Sequence, residues 1–115
     1  MPDDLLRHFF GGFVRMHILY HAAKEPVWGV EIMEELARHG YKLSPGTLYP
    51  ILHQLETAGH LTATTTVVAG RRRRSYRITK TGRRLLHDAR QKLRELVSEV
   101  LEDRDALRAA RGESL

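Results

Sequence analysis

The feature that most limits the possible folds is a change of periodicity near residue 61. Before it, apolar residues recur at three- and four-residue intervals, as they do on one face of a helix. Residues 61–68 (LTATTTVV) are then rich in β-branched side chains, and residues 74–79 (RSYRIT) alternate around Tyr76 and Ile78. Both patterns are typical of paired strands. After residue 79 the helical period returns, so the chain is predicted to be mainly α-helical with a small β-hairpin.

Four helices are predicted around this hairpin. They span residues 4–24, about 29–39, about 45–58 and roughly 80–103. Gly40 and Gly59 are typical helix ends, and Thr79 is a favourable N-cap for the last helix. Residues 69–73 (AGRRR) are predicted to form the turn of the hairpin, with arginines at its tip. Trp28 is expected to pack in the turn between the first two helices.

The third helix begins in a segment with the composition of a loop, residues 44–52 (SPGTLYPIL). Ser44 is a favourable N-cap, and Pro45 fits the first helical position, where its missing N–H group costs nothing. Gly46 removes bulk where the backbone could approach a phosphate. Pro50 lies about one turn later, where it forgoes a backbone hydrogen bond to Gly46 and crowds that carbonyl group. We therefore predict a stiffened helix front with a bent or loosened first turn.

Positive charge is concentrated in the hairpin and the last helix. The net charge is +5, and residues 71–94 contain eleven Lys or Arg residues against one acidic residue, Asp88. A charged run is usually a solvated surface, but here it follows three helices and forms a basic hairpin. That order is typical of a winged helix-turn-helix, in which the third helix enters the major groove and the hairpin lies along the DNA backbone or minor groove. The sequence therefore predicts double-stranded DNA as the partner.

Composition argues against several other classes of protein. The chain has 115 residues, enough for one small domain, and no Cys, which excludes disulfides, thiolate metal sites and a cysteine nucleophile. It has no apolar run of about 18 residues, and its N-terminus lacks the basic region typical of a signal peptide. We therefore expect a cytoplasmic protein without a membrane partner. No nucleophile elbow, phosphate-binding glycine loop or two-carboxylate pattern occurs, so we expect no enzymatic activity.

Three segments resemble the PadR family of bacterial transcriptional regulators. They are residues 44–61 (SPGTLYPILHQLETAGHL), 70–79 (GRRRRSYRIT) and 81–86 (TGRRLL), and the specific signature is residues 45–50 (PGTLYP). The resemblance extends over residues 16–101. It implies a homodimeric winged-helix repressor that a small ligand releases from its operator. Because a single helix follows the hairpin, the chain is similar to the short form of the family, whose C-terminal helix pairs with the partner's N-terminal and C-terminal helices.

This interpretation divides the chain into three parts. Residues 1–79 are the winged helix-turn-helix DNA-binding domain, whose N-terminal helix also contributes to the dimer. Residues 80–103 are the C-terminal dimerisation helix, and residues 104–115 are a flexible tail. Apolar positions of the last helix step alternately by three and four residues, which suits helix pairing. The predicted dimerisation residues are Phe9, Phe13, Leu86, Ala89, Leu93, Leu96, Val97 and Val100.

Candidate DNA-binding residues lie at the front of the third helix and in the hairpin. Leu48, Leu52 and Leu55 define the inward face of that helix, so residues outside this stripe are free to face DNA. Tyr49 has an alternative role in the core, but we favour a phosphate or base contact. Guanidinium groups match phosphates well. The predicted DNA-binding residues are Lys42, Ser44, Gly46, Thr47, Tyr49, His53, Arg71, Arg72, Arg73 and Arg74.

The nature of the effector stays open at this point. His17 and His21 lie four residues apart on the first helix, a spacing that can place two imidazoles on one divalent metal ion, although a third ligand is required. The aromatic first helix and the last helix could instead line a small-molecule pocket, but they more simply form the core of the dimer. No resident cofactor is expected. The alternatives to a ligand-released repressor are therefore a metal-responsive repressor and a non-specific architectural nucleic-acid-binding protein.

Overall fold

The computed structural model describes residues 4–102 and 108–112 of the chain. The elements in this part are α1 Asp4–Lys24, β1 Val27–Trp28, α2 Gly29–Arg38, α3 Pro45–Thr57, β2 Leu61–Val68, β3 Arg71–Ile78 and α4 Lys80–Val97. A π-helical segment, Ser98–Glu102, continues α4. The predicted class, mainly α with a small β-hairpin, is confirmed, and the first three helices have the predicted bounds to within one residue.

The sheet has one strand more than predicted. Its three antiparallel strands are arranged in the order β1-β3-β2, and β1 adds to β3 through the pairs Val27 with Tyr76 and Trp28 with Ser75. The expectation that Trp28 lies in a turn is therefore wrong. A strand of two residues is too short to produce an alternating pattern, so only the folded chain reveals it. Its pairing attaches the sheet to the start of α2.

The turn of the hairpin is shorter than predicted. β2 and β3 pair along their whole length, from Leu61 with Ile78 to Val68 with Arg71, which leaves only Ala69 and Gly70 between them. Both turn residues have positive φ angles, 52° and 76°, as a type I′ hairpin turn requires. The prediction that residues 69–73 form a turn with arginines at its tip is therefore wrong. Arg71–Arg74 belong to β3, where successive side chains point to opposite faces of the sheet.

The hydrophobic core lies where α1, α2 and α3 meet the inner face of the sheet. Leu48, Leu52 and Leu55, the predicted inward stripe of α3, are buried there. Tyr76 and Leu86 extend the core to β3 and α4. The largest fully buried side chains are Ile18, Leu36, Leu48, Leu52 and Leu61. This core fixes one face of α3 and leaves the opposite face outside.

The junction between β3 and α4 is held by several hydrogen bonds. Thr79 is the predicted N-cap, and its Oγ1 accepts a hydrogen bond from the Gly82 N–H at 2.9 Å while donating to the Gly59 carbonyl at 2.6 Å. The Thr79 N–H donates to the His60 carbonyl at 3.1 Å. A Cβ on Gly82 would overlap that same carbonyl oxygen. The junction therefore fixes the direction in which α4 leaves the winged domain.

α4 extends beyond the core. Leu86 near its start is buried, whereas Leu96, and Val100 in the π-helical segment, are 45% and 54% exposed. The radius of gyration is 17.5 Å, compared with about 13 Å for a compact domain of this size. Of the predicted flexible tail, residues 108–110 form a helical turn and residues 104–107 and 113–115 lie outside the described part. No helix among the described residues is long and apolar enough to cross a membrane.

Candidate nucleic-acid interface

The outward face of α3 carries the predicted DNA-binding side chains of this helix. All six candidates on or just before α3 are exposed, namely Lys42, Ser44, Gly46, Thr47, Tyr49 and His53. Ser44 occupies the predicted N-cap position, but its side chain makes no cap hydrogen bond. Its hydroxyl instead lies 3.3 Å from the Thr47 hydroxyl, while its carbonyl accepts from the Thr47 and Leu48 N–H groups. Two adjacent hydroxyl groups are thus presented at the front of the helix.

Gly46 has open space around it in the described part of the chain. It lacks the positive φ angle that favours glycine, and a Cβ built on it would meet only Ser44 Oγ, at 3.8 Å. Glycine nevertheless costs up to about 1 kcal/mol relative to alanine in a helix. α3 runs without interruption through Pro50, from Pro45 to Thr57. Among the described residues, no group outside the backbone of α3 itself therefore requires glycine at this position, and the missing side chain leaves the helix backbone accessible from outside.

Tyr49 combines a packing contact with an exposed surface. Its ring lies against Gly29, the buried first residue of α2, so closely that a Cβ on Gly29 would overlap the ring. The side chain is still 43% exposed. Both roles considered from the sequence are therefore sterically compatible. Contact with Gly29 sets how α3 lies against α2, and the outer side of the ring stays accessible.

The β2–β3 hairpin is the wing of this fold, and its four consecutive arginines, Arg71–Arg74, differ in their contacts. Arg73 Nη2 donates to both carboxylate oxygens of Glu31 at 3.1 and 3.2 Å, and its guanidinium lies 4.6 Å from the centre of the Trp28 ring. Arg74 Nη2 donates to both oxygens of Glu56 at 2.9 and 3.0 Å. No sequence pattern indicates either pair, because Glu31 lies 42 residues from Arg73 and Glu56 lies 18 residues from Arg74.

Arg71 and Arg72 are the unpaired members of the Arg71–Arg74 run. Both are exposed, and neither forms an ion pair with any residue that the structure describes. The Arg73 and Arg74 pairs hold the wing against α2 and α3. Exposed pairs of this kind stabilise a protein by about 0–1 kcal/mol, so a phosphate can compete with the carboxylates for Arg73 and Arg74. Arg71 and Arg72 can bind a phosphate without first losing a carboxylate partner.

The predicted dimerisation residues fall into three groups by burial. Leu86 is buried in the chain's own core. The half-buried residues are Phe13, Ala89, Leu93 and Val97, and the exposed residues are Phe9, Leu96 and Val100. Phe9 and Phe13 pack edge to face with ring centroids 4.6 Å apart. One chain by itself therefore leaves apolar surface on the N-terminal half of α1 and on the end of the last helix.

A third histidine, His39, lies beside His17 and His21. His39, the residue after α2, stacks on His17 with ring centroids 4.6 Å apart. One ring nitrogen from each of the three histidines lies within 4.8 Å of the others. Glu35 Oε1 lies 3.5 Å from Nε2 of both His21 and His39. The cluster depends on the packing of the end of α2 on α1, so no spacing in the sequence indicates His39.

The protonation of this cluster is shaped by burial and by its own charges. Partial burial lowers the pKa of His17, and the neighbouring His39 and His21 lower it further. Burial also lowers the pKa of His21, which Glu35 partly offsets. A hydrogen bond from Arg38 lowers the pKa of Glu35. Near neutral pH the carboxylate is therefore charged, and His17 and His21 are neutral with lone pairs available.

Comparison with known proteins identifies the family. A family model described as "Transcriptional regulator PadR-like family" matches residues 18–88, more than half of the chain. The chain belongs to the PadR-like family. This PadR-like protein is 52% identical over 96 residues to the Transcriptional regulator Rv3488 of Mycobacterium tuberculosis, a match covering 84% of this chain and 90% of that protein. The resemblance found in the sequence is thereby confirmed.

Solved structures have the same fold. A PadR family transcriptional regulator from Eggerthella lenta is 28% identical, with a TM-score of 0.73 over 84% of this chain and 85% of that one. Bacillus subtilis PadR, solved in complex with operator DNA, is 25% identical, with a TM-score of 0.58 over 66% of this chain and 46% of that one. The winged-helix fold expected from the order of elements is therefore confirmed.

Proposed function

We propose that this PadR-like protein is a homodimeric, sequence-specific repressor that binds double-stranded operator DNA and is released by a small effector. The observation that carries the proposal is the outward face of α3. Its polar side chains and Gly46 are exposed, while the opposite face is anchored in the core. In a winged helix-turn-helix this face enters the major groove. The operator complex of Bacillus subtilis PadR, a protein of similar fold, supports the same role here.

Phosphate contacts would supply most of the affinity, and α3 would supply the specificity. Arg71 and Arg72 project from the wing without an intramolecular partner among the described residues, and Lys42 is exposed just before α3. Thr47 and His53, on the outward face of α3, offer groups that can hydrogen-bond to base edges. This division predicts different effects for the two sets of substitutions: wing variants weaken binding to all sequences, whereas α3 variants alter sequence preference.

A homodimer accounts for the apolar surface that one chain leaves uncovered. Phe9 on α1 and Leu96 on α4 are each 45% exposed, although both lie within apolar stripes of their helices. Pairing of α1 and α4 with the same elements of a second copy would bury this surface by a two-fold contact. It would also present two copies of α3 to successive major grooves, which suits a palindromic operator.

Selection of bound duplexes from a random DNA library, followed by DNase footprinting, tests this function. We expect one palindromic sequence to be enriched and one segment of that length to be protected. Sedimentation of the protein alone should give a dimer. Uniform protection without an enriched sequence would support the architectural nucleic-acid-binding alternative, and a monomer that binds with full affinity would contradict the dimer.

A further inference from the structure

We propose that His17, His21 and His39 form a binding site for one divalent transition-metal ion, such as Zn²⁺, at the contact between α1 and the end of α2. His17 and His21 have the spacing of two metal ligands, and His39 supplies the third ligand that such a site requires. Its effect on DNA binding rests on the proposed function, because it names a metal ion as the effector. The binding of metal does not depend on that function.

The geometry of the three rings is close to that of a metal site. The three ring nitrogens lie within 4.8 Å of one another. In a tetrahedral zinc site with Zn–N bonds of about 2.0–2.1 Å, neighbouring ligand atoms are about 3.3 Å apart. His17 and His21 are stacked at an interplanar angle of 14°, and His39 is stacked on His17 at 26°. A tetrahedral site would therefore require the side chains to rotate so that their nitrogens approach by about 1–1.5 Å.

The chemistry of the cluster selects the class of ion. Imidazole nitrogens suit Zn²⁺, Cu²⁺, Ni²⁺ and Fe²⁺, whereas Mg²⁺ and Ca²⁺ prefer oxygen ligands. Burial favours the neutral form of His17 and of His21, which is the form that binds a metal. Three protein ligands leave a fourth position for water or for another ligand.

Glu35 is the positioning residue of this site. Its Oε1 lies 3.5 Å from Nε2 of both His21 and His39, so one carboxylate can orient two of the three rings. Carboxylates in this position also raise the basicity of the histidine ligands. A hydrogen-bonded ion pair with Arg38 holds the carboxylate from its other side, which fixes its orientation but competes for its charge.

The histidine cluster is open to solvent, but nearby positive charges disfavour the binding of a cation. The three histidines line an open cleft of about 620 Å³ between α1, α2 and α4, which provides a path for entry. Lys24 and Arg90 line the same cleft, and their charges disfavour a cation. Glu35 offsets part of that charge. We therefore expect the site to depend strongly on the carboxylate.

The position of the site indicates how it would control DNA binding. His17 and His21 belong to α1, which packs against α4, whereas His39 follows α2, which packs against α3. An ion held by all three would clamp α1 to the end of α2. It would thereby fix the DNA-binding helix relative to the proposed dimer contact, favouring one arrangement of the two copies of α3.

Metal titration of the metal-free, full-length protein tests the site directly. We expect calorimetry to show one Zn²⁺ per chain, and Co²⁺ to give the visible absorption of a tetrahedral complex. His39→Ala should abolish stoichiometric uptake, and Glu35→Gln should weaken it by about 10–100-fold. His87→Ala, an exposed histidine on α4, is the matched control and should bind as the wild type does. No stoichiometric uptake by wild type, or undiminished uptake by His39→Ala, overturns the proposal.

Two further measurements separate this proposal from loss of folding and from the proposed function. The His39 side chain is 47% exposed, so His39→Ala should melt at the wild-type temperature in chelator. Zn²⁺ should raise the melting temperature of wild type but not that of His39→Ala. With a selected operator, Zn²⁺ should change the Kd of wild type by about 5–150-fold and leave that of His39→Ala unchanged. Unchanged affinity in a zinc-loaded protein overturns the effector role. Failure to bind any DNA in chelator as well as in zinc contradicts the proposed function, but it does not affect the metal titration.

Discussion

The division of the wing arginines into unpaired and paired residues makes a quantitative prediction about salt. Each phosphate that a protein neutralises adds about 0.9 to the slope of log Kobs against log[salt]. Removal of Arg71 and Arg72, which have no ion pair in the described part of the chain, should make the slope shallower by about 1.8. Over a fourfold change of salt from 50 to 200 mM, the affinity of wild type should therefore fall about 12-fold more than that of the Arg71→Ala/Arg72→Ala variant.

The paired arginines should behave differently. Arg73 and Arg74 are held by Glu31 and Glu56, and Arg73 also stacks on Trp28. Two exposed ion pairs and two cation–π contacts, Arg73 on Trp28 and Arg74 on Tyr76, together contribute about 1–3 kcal/mol. The Arg73→Ala/Arg74→Ala variant should lose that much free energy of unfolding, with a smaller change in the salt slope. The Arg71→Ala/Arg72→Ala variant should retain its stability to within about 0.5 kcal/mol.

Fluorescence anisotropy on a labelled duplex at four salt concentrations measures the slopes, and urea unfolding measures the stabilities. Lys92→Ala/Arg94→Ala on α4 is the matched control, because it removes the same charge at a distance from the wing. Equal slopes for both wing variants, or a slope change in the control as large as that in Arg71→Ala/Arg72→Ala, would refute the reasoning that intramolecular pairing decides which arginines meet phosphate.

Three glycine and alanine positions give further predictions. Gly46→Ala should raise the free energy of unfolding by up to about 1 kcal/mol yet weaken operator binding in an anisotropy titration, since the added methyl group lies on the proposed DNA face; unchanged affinity would contradict that placement. Gly82→Ala should lower the free energy of unfolding by about 1–3 kcal/mol, because its Cβ would overlap the His60 carbonyl; a stabilised variant in urea unfolding would show that the junction can yield. Ala69→Gly should raise the melting temperature, because Ala69 has a φ of 52° and a left-handed conformation costs a residue with a Cβ about 1–2 kcal/mol. Its control is Ala58→Gly, at a φ of −73°, which should lower the melting temperature; the same direction of change in both variants would argue against backbone strain at Ala69.

The helices were predictable because their ends are marked by local chemistry. Pro45 at the first helical position marks the start of α3, and Thr79 marks the start of α4, where its hydroxyl accepts from the Gly82 N–H. These signals act within one turn of a helix and need no knowledge of the fold. The outward face of α3 was also predictable, because the leucines of its buried face recur with the helical period.

The parts that the sequence did not predict depend on contacts between distant segments. Arg71–Arg74 suggested a turn because a run of charged residues resembles a loop, but the type I′ geometry needs only Ala69 and Gly70. No sequence pattern indicates that Glu31 and Glu56 form ion pairs with Arg73 and Arg74. His39 is 18 residues from His21 and reaches it only because the end of α2 packs on α1. Each of these features is a property of tertiary packing and leaves no periodic trace.

The rigid junction at Thr79 makes α4 a lever. The 18 residues of α4 give it a length of about 27 Å at 1.5 Å per residue. If α4 rotates by about 10° around its C-terminal end, its N-terminal end at the Thr79 junction moves by about 5 Å together with the winged domain. That displacement exceeds the 3.4 Å rise of one base pair. A small angular change where two copies of the last helix meet in the proposed dimer would thus be enough to shift α3 away from its position in the major groove of the proposed operator.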